Sequence, residues 1–183
     1  MKLFSGLKKL GRADHSPDRQ FGTGLWRQHH DRFLRAVDRY YTTAVAISEA
    51  EDANAAVTSA STADDATEPP GAPTSELIAA GTHRLNELVP VVDDITRWMH
   101  THCPVAGQVV PAHVRQRVGD APELMARASA KVAEAVLAAS MARTELRAGR
   151  PAASSAQACE RFIADAAELL ARARSSLPAE DVQ

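Results

Sequence analysis

Three histidines and one cysteine lie close together in the sequence, and their side chains are the ones best suited to chemistry. They are His100, His102, Cys103 and His113. On a helix, His100 and Cys103 share a face, and His113 can fold back across the intervening turn. Imidazole and thiolate groups are ligands that zinc prefers, and a thiol beside an imidazole is also a candidate nucleophile. Because the spacing matches no zinc module, we interpret this cluster as structural and keep zinc binding as the alternative hypothesis.

The first twelve residues, MKLFSGLKKLGR, separate apolar from basic side chains. On a helix, three leucines fall on one side with a phenylalanine beside them, and the lysines fall on the opposite side. The residues concerned are Lys2, Leu3, Phe4, Leu7, Lys8, Lys9 and Leu10. This pattern is typical of a segment that lies on an anionic membrane or binds in the groove of a protein partner. The same leucines can instead dock on the rest of the protein, so three explanations stay open.

The overall composition favours helices. Of the 183 residues, 36 are alanine and only 4% are aromatic, so the strand-forming residues of a sandwich, barrel or α/β enzyme are scarce. Two cysteines are too few for a disulfide framework. No apolar run approaches the roughly 20 residues that span a bilayer, and the first residues lack the apolar stretch of a secretory signal. We therefore expect a cytoplasmic protein.

The net charge and the amino-acid composition add two expectations. The net charge of -2 gives no general attraction to nucleic acid, so no nucleic-acid partner is expected. The chain has 17 arginines and only 4 lysines, together with abundant alanine. This usage is typical of a GC-rich genome and favours a bacterial source.

Four segments place apolar residues at alternating steps of three and four, which gives one stripe along an α-helix. The first stripe is Trp26, His30, Phe33, Val37, Tyr40, Ala44 and Ile47. The second is Ile78, Gly81, Leu85, Leu88, Val92, Ile95 and Met99. The third is Leu124, Ala128, Val132, Ala135, Ala139, Ala142 and Leu146, and the fourth is Cys159, Phe162, Ala166, Leu169, Ala173 and Leu177. They predict an all-α fold, a four-helix and mostly antiparallel bundle over residues 24–178.

The segments outside the stripes are assigned by composition. Residues 1–12 are the basic segment, residues 13–23 a flexible connector and residues 179–183 a tail. Residues 49–73 hold six acidic residues, no basic one and almost no large apolar group, so we predict a disordered acidic loop between the first two helices. The first half of this stretch can instead extend the first helix, because alanine and glutamate are good helix formers.

Local signals predict where the helices begin and end. Asp120 and Glu123 have the spacing of a capping box at the start of the third helix, and Gly149 marks its end. Ser154 or Ser155 is suited to cap the fourth helix. Residues 111–119 are expected to form a short helix or turn that leads into the third.

These observations predict a non-catalytic cytoplasmic interaction or adaptor protein that residues 1–12 can bring to a membrane. A protein partner is expected, an anionic membrane surface is a second candidate partner, and a homo-oligomer is compatible with the pattern. The alternative is a helical bundle that binds a metal or small ligand through His100, Cys103 and His113, with zinc as its cofactor. The main hypothesis needs no cofactor.

Overall fold

The computed structural model describes residues 16–59, 74–105 and 107–178, and all regular structure in these ranges is helical. Six helices follow one another along the chain. They are α1 (Pro17–Phe21), α2 (Leu25–Ser59), α3 (Thr74–His102), α4 (Ala112–Val118), α5 (Ala121–Arg147) and α6 (Ala153–Ser175). The expected all-α class is therefore confirmed. None of the described helices is both long enough and apolar enough to cross a membrane.

The four predicted stripes form the core. Every residue of the four series is buried or half-buried, and Tyr40, Ile78, Val132 and Ala166 have no measurable exposure. Alanines make up much of the stripes of α5 and α6, so these two helices meet through small side chains and pack over much of their length. The core exists because each helix has one apolar face that only a neighbouring helix can cover.

The four long helices contact each other in a closed ring, in the order α2, α3, α6 and α5. Within the ring, α2 and α3 run in opposite directions. Trp26 near the start of α2 donates its indole N–H to the carbonyl of Cys103 just after α3, at 2.8 Å. At the other end, the Glu51 carboxylate accepts the backbone N–H of Ser75 at 3.2 Å. Helices α5 and α6 are likewise antiparallel, since Ser155 donates to Glu145 and Lys131 lies 3.6 Å from Asp165.

The two hairpins lie side by side with their helices parallel. On α3 and α6, Gly81 faces Ile163, and Asp94, thirteen residues later, faces Arg174 eleven residues after Ile163. Both helices therefore run the same way, and so do α2 and α5. The expected mostly antiparallel arrangement holds within each hairpin but not between them. The reason is the connection through α4, which is long enough to carry the chain diagonally across the end of the ring.

Several segments differ from the expectations. Residues 13–23 were predicted to be a connector, but residues 17–21 form α1, and Phe21 is buried. Residues 49–59 extend α2, which was the alternative for the acidic stretch. The rest of that stretch, the basic segment at residues 1–12 and the tail at residues 179–183 lie outside the described residues. The short helix expected at residues 111–119 is confirmed as α4.

The helix ends follow backbone geometry more than side-chain capping. Gly149 has a φ of 65° and its N–H bonds to the carbonyl of Leu146, as a helix terminator does. The predicted capping box is wrong, because Asp120 stands at the N-cap position without a side-chain hydrogen bond to the helix. The predicted serine cap of α6 is also wrong. Ser155 lies inside α6, and its hydroxyl donates to Glu145 of α5 at 2.7 Å.

Candidate functional site

The N-terminal segment joins the described helices through α1, which is anchored at one end of the ring. Phe21 stacks on the imidazole of His30, with ring centroids 4.2 Å apart, and Arg97 lies 5.9 Å above the same phenyl ring. Asp18 forms an ion pair with Arg27 at 3.3 Å. Gly22, with a φ of 70°, lies so close to the His100 ring that a Cβ there would be 2.7 Å from it.

That end of the protein contains a stretch without acidic residues, which is followed by exposed Asp120 and Glu123 in the groove that Val109 and Arg115 line. Residues 95–119 contain Arg97, Arg115 and Arg117 but no aspartate or glutamate. Arg115 and Arg117 are exposed on α4, and among the described residues neither forms an ion pair. Val109, in the loop before α4, is 78% exposed. We call Val109, Arg115 and Arg117 the basic end.

A buried histidine ties α2 to α3 just above the basic end. The two nitrogens of His30 contact two carboxylates, Nδ1 at 3.0 Å from Asp31 and Nε2 at 2.8 Å from Asp93. Arg27 donates to the same Asp31 oxygen at 2.6 Å. Burial alone would raise the pKa of Asp31, but the hydrogen bonds from His30 and Arg27 outweigh it and hold this pKa below its ordinary value. Both ring nitrogens of His30 lie within hydrogen-bond distance of a carboxylate, so the cluster joins α2 to α3.

The residues proposed for zinc do not come together. His102 bonds through Nδ1 to the carbonyl of Trp98 at 2.9 Å and stacks on its indole ring. His113 is exposed on α4, whereas His100 packs on Gly22 and Cys103 is buried. Among the described residues, no three His, Cys, Asp or Glu side chains form a group that could hold a metal ion. The geometry thus gives the zinc hypothesis no support.

Both cysteines are enclosed by the core. Cys159 donates its thiol to the carbonyl of Ala135 at 3.4 Å and lies against the Tyr40 hydroxyl. Burial raises the pKa of Cys159 to about 11, and burial also raises the pKa of Cys103. Because the thiolate is the reactive form, neither side chain has the properties of a catalytic nucleophile.

We expect the two thiols to be protected from modification in the folded protein. The native chain should react with a thiol reagent such as DTNB at the rate of global unfolding, while the chain in denaturant should react with two equivalents at once. Reaction rates followed at increasing denaturant check this. Fast labelling of one thiol in native buffer would contradict it.

A different surface runs along α2 and α5. The outer side of α5 has a second apolar stripe with the same helical spacing as the buried one, formed by Ala126, Ala130, Ala133, Leu137 and Met141. Leu137 is 66% exposed and Met141 59% exposed, and nothing in the described chain covers them. Exposed large apolar side chains on one helix face are typical of an interaction surface.

Arginines line the neighbouring side of α2. Arg32, Arg35 and Arg39 are exposed beside the alanines of α5 and line a groove of about 320 Å³. Two other grooves, of about 410 and 460 Å³, have no such row of arginines. Among the described residues, none of the three has a carboxylate within 4.0 Å. We call these arginines and the outer stripe of α5 the α2/α5 face.

A larger groove of about 510 Å³ lies between α3 and the end of α6. Trp98 lines it and borders the core, with His102 stacked on it. Asp94 in this groove is 2.8 Å from Arg97 and 4.0 Å from Arg174, so the charges within the groove are already paired.

The sequence contained a signal for one of these features only. The outer stripe of α5 is visible as apolar residues at steps of four and three, but it was masked by the stronger inner stripe. The contact of His30 with Asp93 joins residues 63 positions apart, so no local sequence pattern predicts it.

No protein-family model matches this chain, and neither the curated proteins nor the solved structures include a match to it.

Proposed function

We propose that this chain is a non-catalytic interaction protein of the cytoplasm, a four-helix bundle of two hairpins that associates with an anionic membrane surface through its basic end. The observation that carries the proposal is the placement of α1. Helix α1, which follows the basic amphipathic residues 1–12 in the sequence, packs at the end of the ring where the exposed Val109, Arg115 and Arg117 lie.

The proposed membrane binding combines two contributions, each of which is weak alone. Each basic residue near an anionic bilayer contributes about 1 kcal/mol, and apolar side chains of the segment add the free energy of leaving water. A short amphipathic segment alone gives only reversible binding, because ordering it costs much of this gain. The backbone of α4 is already folded, so Arg115 and Arg117 add their charges at the cost of ordering their side chains only.

The shape of this end favours a membrane over a peptide-sized partner. Arg115, Arg117 and the loop residue Val109 are exposed at the end of the ring, and an exposed cationic surface with an apolar side chain fits an anionic layer. A protein groove that takes residues 1–12 alone would not need the α4 arginines. The two targets therefore differ in their dependence on Arg115 and Arg117.

Vesicle co-sedimentation tests the proposal. We expect the full chain to sediment with vesicles that contain phosphatidylserine, to remain in solution with neutral phosphatidylcholine vesicles, and to dissociate as salt screens the charges. Deletion of residues 2–12 and the variant Leu7→Glu should each abolish sedimentation. The double variant Arg115→Glu/Arg117→Glu should weaken binding by more than about tenfold, since two contributions of about 1 kcal/mol each are lost and then reversed.

The matched control is Arg147→Glu/Arg150→Glu, which makes the same charge change at the opposite end of the ring. This control should bind like the unmodified chain, because its arginines lie far from the proposed surface. If both double variants lose binding equally, net charge and not the basic end is responsible. If the full chain and the deletion sediment equally, the membrane proposal is wrong, and residues 1–12 dock on a protein groove or on the helices.

A further inference from the structure

We propose that the α2/α5 face is covered by the same face of a second copy of this chain, in an antiparallel dimer with Leu137 and Met141 at its centre. The inference goes beyond the proposed membrane association and does not depend on it. It rests on the exposed apolar side chains of α5, on the unpaired arginines of α2 and on the distribution of acidic residues along α2.

The charges of α2 are separated along its length. The first half of the helix bears the row Arg32, Arg35 and Arg39 together with exposed Asp38, and the second half bears exposed Glu49 and Asp52 and no basic residue. Neither acidic residue has a cation within 4.0 Å among the described residues. A helix that is basic at one end and acidic at the other is complementary to an antiparallel copy of itself.

Arg35 and Glu49 set the register of the pair. They are 14 residues apart, which is about 21 Å along a helix and roughly 40° around it, so both reach one side of α2. If Arg35 of each copy lies opposite Glu49 of the other, the two-fold axis crosses α2 near residue 42. Tyr40 and Ala135 are at the same height, because both contact Cys159. The axis therefore crosses α5 near Leu137, which would pack against its own counterpart.

The other symmetric arrangement fits less well. A parallel pair would place the arginine row over the Ala126–Ala133 part of α5 in the second copy. That part of α5 presents alanines on its outer side, and its nearest acid, Glu134, is already paired with Lys131 at 2.8 Å. The antiparallel pair is the one in which Arg35 of each copy meets Glu49 of the other.

The available area predicts a reversible dimer. From Arg32 to Glu49 the face is about 26 Å long, and two adjacent helices are about 20 Å wide, so each copy offers roughly 500 Å². A total of roughly 1,000 Å² is the lower limit for a specific interface, and its centre is apolar as such interfaces require. We expect association to depend on protein concentration.

Sedimentation equilibrium of the full chain over a wide concentration range tests the dimer. Leu137→Lys should weaken association by at least tenfold, because it places two like charges together at the axis. The matched control is Tyr41→Lys, since Tyr41 is 56% exposed and lies roughly 120° around α2 from Arg35. It should dimerise like the unmodified chain. A chain that is monomeric at every concentration, or equal effects of the two variants, would overturn the proposal.

A charge exchange tests the antiparallel register. Arg35→Glu alone should weaken the dimer, and Arg35→Glu combined with Glu49→Arg should restore it, because each pair is then re-formed with reversed signs. Circular dichroism confirms that these exposed substitutions leave the helices intact. A dimer that loses stability with Arg35→Glu and is not restored by the double variant would exclude this register.

Discussion

Replacing Trp26 by alanine is expected to lower the free energy of unfolding by about 4–5 kcal/mol. Trp26 is fully buried near the start of α2, and its loss leaves a large cavity that costs about 3–5 kcal/mol. It also donates to the Cys103 carbonyl at 2.8 Å, and an unsatisfied buried carbonyl costs about 1–3 kcal/mol more, part of which water entering the cavity offsets. Urea unfolding followed by circular dichroism measures the change.

Trp98→Ala is the matched control, because it removes the same side chain from a half-buried position at the edge of a groove. We expect it to cost roughly 1–2 kcal/mol, in proportion to the smaller apolar area lost. Trp26→Phe separates the two contributions, since it keeps most of the volume and removes only the N–H donor. Equal losses for Trp26→Ala and Trp98→Ala would contradict the observed burial.

Gly81→Ala is expected to destabilise the protein by about 1–3 kcal/mol, although alanine normally stabilises the interior of a helix by about 1 kcal/mol. A Cβ at residue 81 would collide with the hydroxyl of Tyr40 and would lie 2.8 Å from Cδ1 of Ile163. Tyr40 cannot retreat, because it is fully buried and its hydroxyl donates to the carbonyl of Ile78 at 3.2 Å. Urea unfolding of the variant gives the sign of the change.

Two further variants identify the cause. Gly107→Ala should be nearly neutral, because a Cβ at Gly107 would have no atom within 4 Å. Tyr40→Phe removes the hydroxyl, so Gly81→Ala should be less damaging in that background than in the unmodified chain. If the cost of Gly81→Ala is the same with and without the hydroxyl, the close contact between α2 and α3 is not its source.

The core positions were predictable because the helical period decides them locally. Each stripe needs only the side chains of its own helix, and the four stripes match the buried residues, with Phe33 in the core and Trp98 at its border. The directions of the helices were not predictable in the same way. Whether α5 packs on α2 or on α3 depends on how two finished hairpins fit together, and no single segment encodes that fit.

Short elements and surface features were missed for physical reasons. Helix α1 has five residues, too few to show a period, although Pro17 and Asp18 are residues that favour a first turn. Its stability comes from contacts with His30 and Arg27, which are tertiary. The capping prediction for Asp120 was wrong because the chain arrives from α4 and Gly119 with Asp120 at a φ of -87° and a ψ of 1°, outside the extended geometry that a side-chain cap uses.

The diagonal connection through α4 has a practical consequence for handling the protein. The chain enters the described helices at Ser16 and leaves them at Pro178, and both points lie at the end formed by Gly22, Trp98 and Leu177. The last described residues therefore lie at the same end as α4. A reporter inserted between Gly149 and Arg150, in the exposed turn of the α5–α6 hairpin, would stand at the opposite end. That turn is the place for a label that must leave the basic end unobstructed.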